Sequence, residues 1–154
     1  MTEINRIISL FEKLYDGEPW IDINIRSVLA NITPKQAATK PLPTGNSIWE
    51  IVNHLINWRT NVLKRLQGIS VTTPDNNYFE PIPVQSKVAW ARTLDEYDDT
   101  QKQWLEFLKN FNPESFELRY PNNNMTYYEH IQGILQHDSY HLGQIVLLSK
   151  YLDL

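Results

Sequence analysis

Residues 126–146 read TYYEHIQGILQHDSYHLGQIV, and this stretch decides the fold. Thr126 with Glu129 three positions on is a capping box, in which side chains satisfy the free amides that open a helix. Ile131, Ile134, Leu135, Leu142, Ile145 and Val146, with Leu152 beyond them, recur at helical spacing, so a long amphipathic helix is predicted from here to the end of the chain. Inside it, His137 and His141 lie four residues apart, roughly 6 Å along the axis, and project from one face. Two adjacent imidazoles suit a zinc-, nickel- or iron-class divalent ion. The alternative is a chance pair on a solvated face.

On a wheel of about 100° per residue, His130, His137 and His141 share a narrow sector at the edge of the apolar stripe. His130 stands two turns before His137, about 10 Å away, too far to share one ion with both others. It is expected near the helix start as a surface residue or as a support to the site. Asp138 falls at the centre of the stripe, where a carboxylate cannot be left unpaired. Two readings stand: it holds the other ring nitrogen of a ligand histidine, or it binds an arginine, an indole or a helix-terminal amide.

Working back through the chain, Ser47-Ile48-Trp49-Glu50 is a second capping box. The stripe that follows (Ile48, Ile51, Val52, Leu55, Trp58, Val62, Leu63, Leu66) predicts a helix ended by Gly68. His54 lies on its shoulder, where a lone histidine reads first as a half-buried, hydrogen-bonded residue. Residues 85–110 form a third helical pattern through Val88, Trp90, Ala91, Leu94, Tyr97, Trp104, Leu105 and Leu108, and the acids Asp95, Glu96, Asp98 and Asp99 make its solvated face. Residues 2–29 read as one further bundle helix with a break or kink near Gly17-Glu18-Pro19, where Gly17 and Pro19 interrupt the apolar period. The connection after it holds one turn of helix at 34–38. The 69–84 loop contains Tyr78-Phe79, a pair that covers a site or pins the loop to the bundle, with pinning the favoured role.

Four long helices without a strand pattern predict an all-α four-helix bundle in one domain spanning residues 1–154. The composition, 42% hydrophobic and 21% charged with five Trp and eight Tyr, is that of a globular protein with ample aromatic core. No cysteine is present, which removes disulfides, a thiol nucleophile and thiolate metal sites. With no signal peptide and no long apolar run, a soluble cytoplasmic protein with no membrane partner is expected. A net charge of −4 without a basic run argues for no nucleic acid partner.

The segment Ser47-Ile48-Trp49-Glu50-Ile51-Val52-Asn53-His54-Leu55, followed about 80 residues on by Gln136-His137-Asp138-Ser139-Tyr140-His141-Leu142-Gly143-Gln144, resembles the DinB-like (DinB/YfiT) metalloprotein family. The Gly17-Glu18-Pro19-Trp20 break and the Thr33-Pro34-x-Gln36-Ala37 segment extend the resemblance over nearly the whole chain. It implies an up-down-down-up bundle, often a homodimer. It also implies one divalent ion, often zinc or nickel, held by His54, His137 and His141.

Three neutral imidazoles leave the charge of such an ion uncompensated and one position open, the arrangement of a catalytic site. Relatives in the family include transferases that use a low-molecular-weight thiol such as bacillithiol. The leading expectation is therefore a thiol S-transferase acting on small electrophiles, with a thiol cosubstrate and a small-molecule substrate. Asp138 and Gln144 are candidates to orient the ligands, and Arg59, Arg65 and Arg92 are cations available to a thiol's carboxylates. A hydrolase using bound water is the alternative, with Glu50 as its nearest candidate base. A metal-binding module without turnover is the third reading.

Overall fold

The computed structural model describes residues 1–153. It is all-helical: α1 (Glu3–Tyr15), α2 (Ile25–Ala30), α3 (Pro34–Ala38), α4 (Ile48–Leu66), α5 (Lys87–Lys109) and α6 (Tyr127–Leu152), with a 3-10 turn at Pro113–Glu117. The four long helices pack in a ring, α1 against α5 and α6, and α4 against α5 and α6. The expected bundle is therefore present, and the helices that carry His54 and the His137–His141 pair are neighbours.

The starts of these helices follow from local chemistry. Ser47 and Glu50 form the reciprocal cap of α4, and Thr126 and Glu129 that of α6. At the far end of α4, Gly68 adopts a φ of 78°, the left-handed conformation that closes helices and that side chains disfavour. Between the helices lies a core rich in aromatic rings. Phe11 of α1 stacks on Trp104 of α5 at 5.1 Å between ring centres. Each buried indole still places its N–H: Trp104 donates to the Arg59 carbonyl, Trp49 to Thr93 and Trp90 to the Ile32 carbonyl.

Three expectations are corrected. First, the interruption expected near Gly17-Glu18-Pro19 is a full break and not a kink, so residues 2–29 are not one helix. Helix α1 ends at Tyr15, and an irregular segment separates it from the six-residue α2. Gly17 turns back so closely that an added Cβ would lie 2.9 Å from the Lys13 Cα. Asn24 then starts a new helix, accepting from the Ser27 amide while donating to the Gly17 carbonyl. Trp20, read as part of a helical stripe, is instead 96% exposed. Second, Val88 and Ala91 are exposed, and the buried face of α5 runs through Trp90, Thr93, Tyr97, Thr100, Gln101, Trp104 and Leu108. Polar side chains substitute there because they have partners, as Gln101 has in Arg59 and in the Phe11 carbonyl.

Third, the acidic run is not wholly solvated. Asp98 accepts from the Tyr15 hydroxyl and pairs with Arg26 at 2.9 Å, tying α5 to α1 and α2. Among the described residues, no helix is long and apolar enough to cross a membrane.

Candidate metal centre

His54 enters from the middle of α4, and His137 and His141 from successive turns of α6. One ligand atom from each lies within 4.8 Å of the other two. His54 and His141 are buried and His137 is half-buried. The Nε2 atoms of His54 and His137 are 2.9 Å apart.

The opposite ring nitrogens show which tautomer each imidazole holds. His54 Nδ1 is 2.7 Å from the Asn77 carbonyl oxygen, and a carbonyl only accepts, so Nδ1 carries the proton. The lone pair of His54 is thereby left on Nε2. His141 Nδ1 is 2.6 Å from Gln144 Oε1, while Gln144 Nε2 donates to the Tyr140 hydroxyl, which orients the amide oxygen toward the imidazole. His141 also presents its lone pair at Nε2. His137 Nδ1 is buried without a hydrogen-bond partner among the described residues, so the ring is held by its neighbours rather than by an anchor.

This donor set fits a divalent ion. Ligand nitrogens about 2.0–2.1 Å from zinc at a near-tetrahedral angle stand about 3.3 Å from one another. His54 and His137, at 2.9 Å, stand a few tenths of an ångström inside that spacing, and no two of the three ligand atoms are more than 4.8 Å apart. Burial also keeps the rings in the form that binds metal. It lowers the His54 pKa to about 4, with His141 adding to the effect. Burial and then the two other imidazoles lower His137 to about 3. Burial lowers His141 as well.

These directions give a signed expectation for the metal-free protein. A histidine whose folded pKa lies below its unfolded value stabilises the fold above the unfolded pKa, near 6.5, and loses that contribution as pH falls toward the folded value. The Tm of metal-free protein should stay level from pH 8 to 6.5, then fall by about 5–10 °C by pH 4.5. His54→Gln should flatten part of that fall. A Tm insensitive to His54→Gln across this range would show that the imidazole is not held neutral.

Aromatic rings close the site. Phe79 lies parallel on His54 with ring centres 4.0 Å apart, and the edges of Trp58 and Tyr140 meet His137 and His141. The Tyr78-Phe79 pair therefore performs both roles considered for it, since the Tyr78 hydroxyl also accepts from Asn61 at 2.6 Å. The loop is bent to do so: Asn77 and Tyr78 adopt φ of 52° and 63°. Asparagine tolerates the left-handed region, whereas a tyrosine there is strained. Asn77 is the residue that sequence reading misses. Its carbonyl anchors His54 and its side-chain oxygen accepts from Trp58 Nε1. The signal was the Asn76-Asn77 pair in a long loop, a composition that favours turns.

The remaining candidates separate. Gln144 contacts His141. Asp138 is fully buried and binds Arg59, whose Nε and Nη2 donate to Oδ2 at 2.8 and 2.7 Å. The arginine reading is thus the one realised, and Arg59 is consumed by it. Glu50 is committed elsewhere, with one oxygen on the Ser47 amide and the other 2.8 Å from Lys40 Nζ. Arg92 is exposed on α5. His130 is not on the surface: it is buried, with Nδ1 on the Thr126 carbonyl and Nε2 beside Asn123.

A sequence profile described as the DinB superfamily matches residues 24–145. Among solved structures, the chain is similar to the colibactin self-resistance protein ClbS in complex with a dsDNA. The TM-score is 0.61 at 19% identity, over 96% of this chain and 91% of that one. At this identity the likeness is one of fold. No curated protein matches the chain. The ClbS complex overturns the expectation that acidic charge excludes nucleic acid. Net charge sums over the whole surface, whereas contact with phosphates depends on where the cations lie, and a protein of this fold carries duplex DNA.

Proposed function

The chain belongs to the DinB superfamily, and from that premise we propose that it is a metal-dependent transferase that joins a low-molecular-weight thiol, of the bacillithiol class, to small electrophiles. His54, His137 and His141 are its metal ligands, zinc or nickel the ion, and Gln144 and Asn77 the residues that orient two of the three rings. The observation that carries the reading is the convergence of three imidazoles, two of which keep the lone pair on Nε2 because Nδ1 has a partner. Bound there, the ion would supply positive charge and an open coordination position at which a small thiol is held deprotonated.

Transfer is favoured over hydrolysis by what surrounds the rings. No carboxylate stands ready as a base to assist a metal-bound water, since the two considered for the site are engaged, Glu50 by its cap and Lys40 and Asp138 by Arg59. A thiol ionises more readily and does not need that base. In the overall reaction a carbon–sulfur bond forms, the bond to the leaving group breaks, and the thiol proton passes to solvent.

Zinc- or nickel-loaded protein incubated with a small thiol and a chromogenic aryl halide should form the conjugate at least about tenfold faster than the uncatalysed pair, and His137→Ala should remove the excess. Ester cleavage without thiol would replace the transferase by the hydrolase. No turnover with metal bound would leave a binding module. Duplex DNA enters through ClbS: a duplex retained by the protein, with affinity falling steeply as salt rises, would move the function to nucleic acid.

A further inference from the structure

Beside the histidines, a cleft of about 410 Å³ runs between α4 and α6. Its walls come from Trp58, Val62 and Arg65 on one helix and His130, Ile134 and His137 on the other, with Asn77 and Met125 contributed by loops. This volume lies in the range of small-molecule sites, which pair apolar walls with a few placed polar groups. One end of the cleft therefore borders the proposed metal centre at His137. The other end holds Arg65.

Arg65 is built into place. Its Nε donates to Asn61 Oδ1 at 2.7 Å, and Nη2 reaches Thr73 Oγ1 at 3.4 Å. Its guanidinium carbon lies 5.3 Å from the ring centres of both Trp58 and Tyr120. The ion pairs among the described residues all use other cations. A half-buried guanidinium fixed by two rings and two neutral acceptors keeps its charge and a free edge for an anion. We propose that this cleft is the substrate pocket of the histidine site and that Arg65 selects a small monocarboxylate with an apolar body. The proposal rests on the metal-site reading for its chemistry, but not for the binding it describes.

The geometry sets the ligand's size and charge. The Arg65 guanidinium carbon is 5.3 Å from the Trp58 ring centre, and that ring is 6.0 Å from the His137 ring, so cation and imidazole stand within the sum of those two spans. A carboxylate on Arg65 thus places the far end of a phenylpropionate-sized molecule at His137, with Val62 and Ile134 along its body. Glu129 stands at the rim with Oε2 on the Thr126 amide and hydroxyl. Its negative charge opposes a dianion such as phosphate while a single carboxylate is still held.

Gly133 supplies a clean block. It lines the cleft, and a Cβ built on it meets no atom within 4 Å. Leucine at this helical position therefore extends into the cleft, and leucine favours a helix over glycine.

The test is calorimetric titration of the zinc-loaded full chain with 3-phenylpropionate and with its amide. The carboxylate should bind at least about tenfold tighter, as a charge-assisted hydrogen bond allows. Arg65→Met should bring the two ligands within about twofold, and Gly133→Leu should remove both, each with metal content unchanged. The carboxylate preference should persist in chelator-stripped protein. A preference that survives Arg65→Met, or one that vanishes with the metal alone, would overturn the proposal, as would failure of the wild type to bind either ligand. Absence of metal in the wild type would end the transferase reading, while an Arg65-dependent preference in that same protein would leave the pocket standing.

Discussion

Elemental analysis of untagged wild-type protein should find about one zinc- or nickel-class ion per chain, and His141→Ala should hold none above background. Three neutral nitrogens already turned toward one point lose little conformational entropy on binding, because the Asn77 carbonyl and Gln144 orient two of the rings beforehand. Removing His141 takes away one of the three donors and leaves Gln144 without the imidazole it orients. Gln144→Leu should be milder, weakening the metal about 10–100-fold through loss of that orientation. Chelation of wild-type protein should also lower its Tm, by on the order of 10 °C if the free ion stood at about a thousandfold its Kd. An unchanged metal content in His141→Ala would defeat the ligand assignment.

The largest stability effect is expected at a carboxylate that never touches the histidines. Asp138→Ala should destabilise the fold by about 3–5 kcal/mol, seen as a Tm lowered by roughly 10–15 °C. The ion pair is sealed in the core, with Arg59 and Asp138 only 1% and 0% exposed. Burial pushes the Asp138 carboxyl up, and Arg59 beside it pulls the other way. The guanidinium also donates to Gln101 at 2.9 Å and faces the rings of Tyr97, Tyr15 and Phe11. Alanine at 138 leaves that cation with its charge uncompensated. Joint replacement Arg59→Met with Asp138→Leu should recover most of the loss, since a buried pair exchanged for apolar side chains is often neutral or better. Chemical denaturation of the three variants measures both effects. A cost below about 1 kcal/mol for Asp138→Ala would show that the core hydrates the arginine instead.

Both results bear on how the chain divides its polar groups. Helix α6 alternates purposes at adjacent positions, with His137 and His141 facing the candidate site while Asp138, between them in sequence, points roughly a quarter turn away round the helix, into Arg59. A rotation of about 100° per residue is enough to separate a metal face from a core face. The same spacing keeps His130 two turns from His137, where it serves the helix start and the wall of the cleft.

Local chemistry made the long helices legible. The reciprocal caps at Ser47 and Thr126, the apolar period of α4 and α6 and the Gly68 stop are interactions among residues within one or two turns. They are present in the sequence before any tertiary contact forms. The His137–His141 pair was legible for the same reason, as two imidazoles one helical turn apart, whereas His54 on its own reads as an ordinary half-buried histidine and joins the pair only through the family resemblance. Gly17 and Pro19 mark the interruption after Tyr15, but its length is not legible, because Trp20, Ile23 and Ile25 continue the apolar period through a segment whose path depends on Gly17 and Asn24 closing a turn.

What tertiary structure alone decided is which distant groups meet. Sequence could offer Asp138 a histidine, an arginine or an amide; packing of α4 against α6 set it on Arg59, where the cation cancels a buried charge. Sequence could offer Phe79 two roles; the left-handed turn at Asn77 and Tyr78 laid its ring on His54. The tautomer of His54 depends on a carbonyl 23 residues away, which no periodicity records. Periodicity reports which face of an element is buried, while the partner of a buried polar group is chosen by geometry between elements, and there the free energy of leaving it unpaired makes the choice.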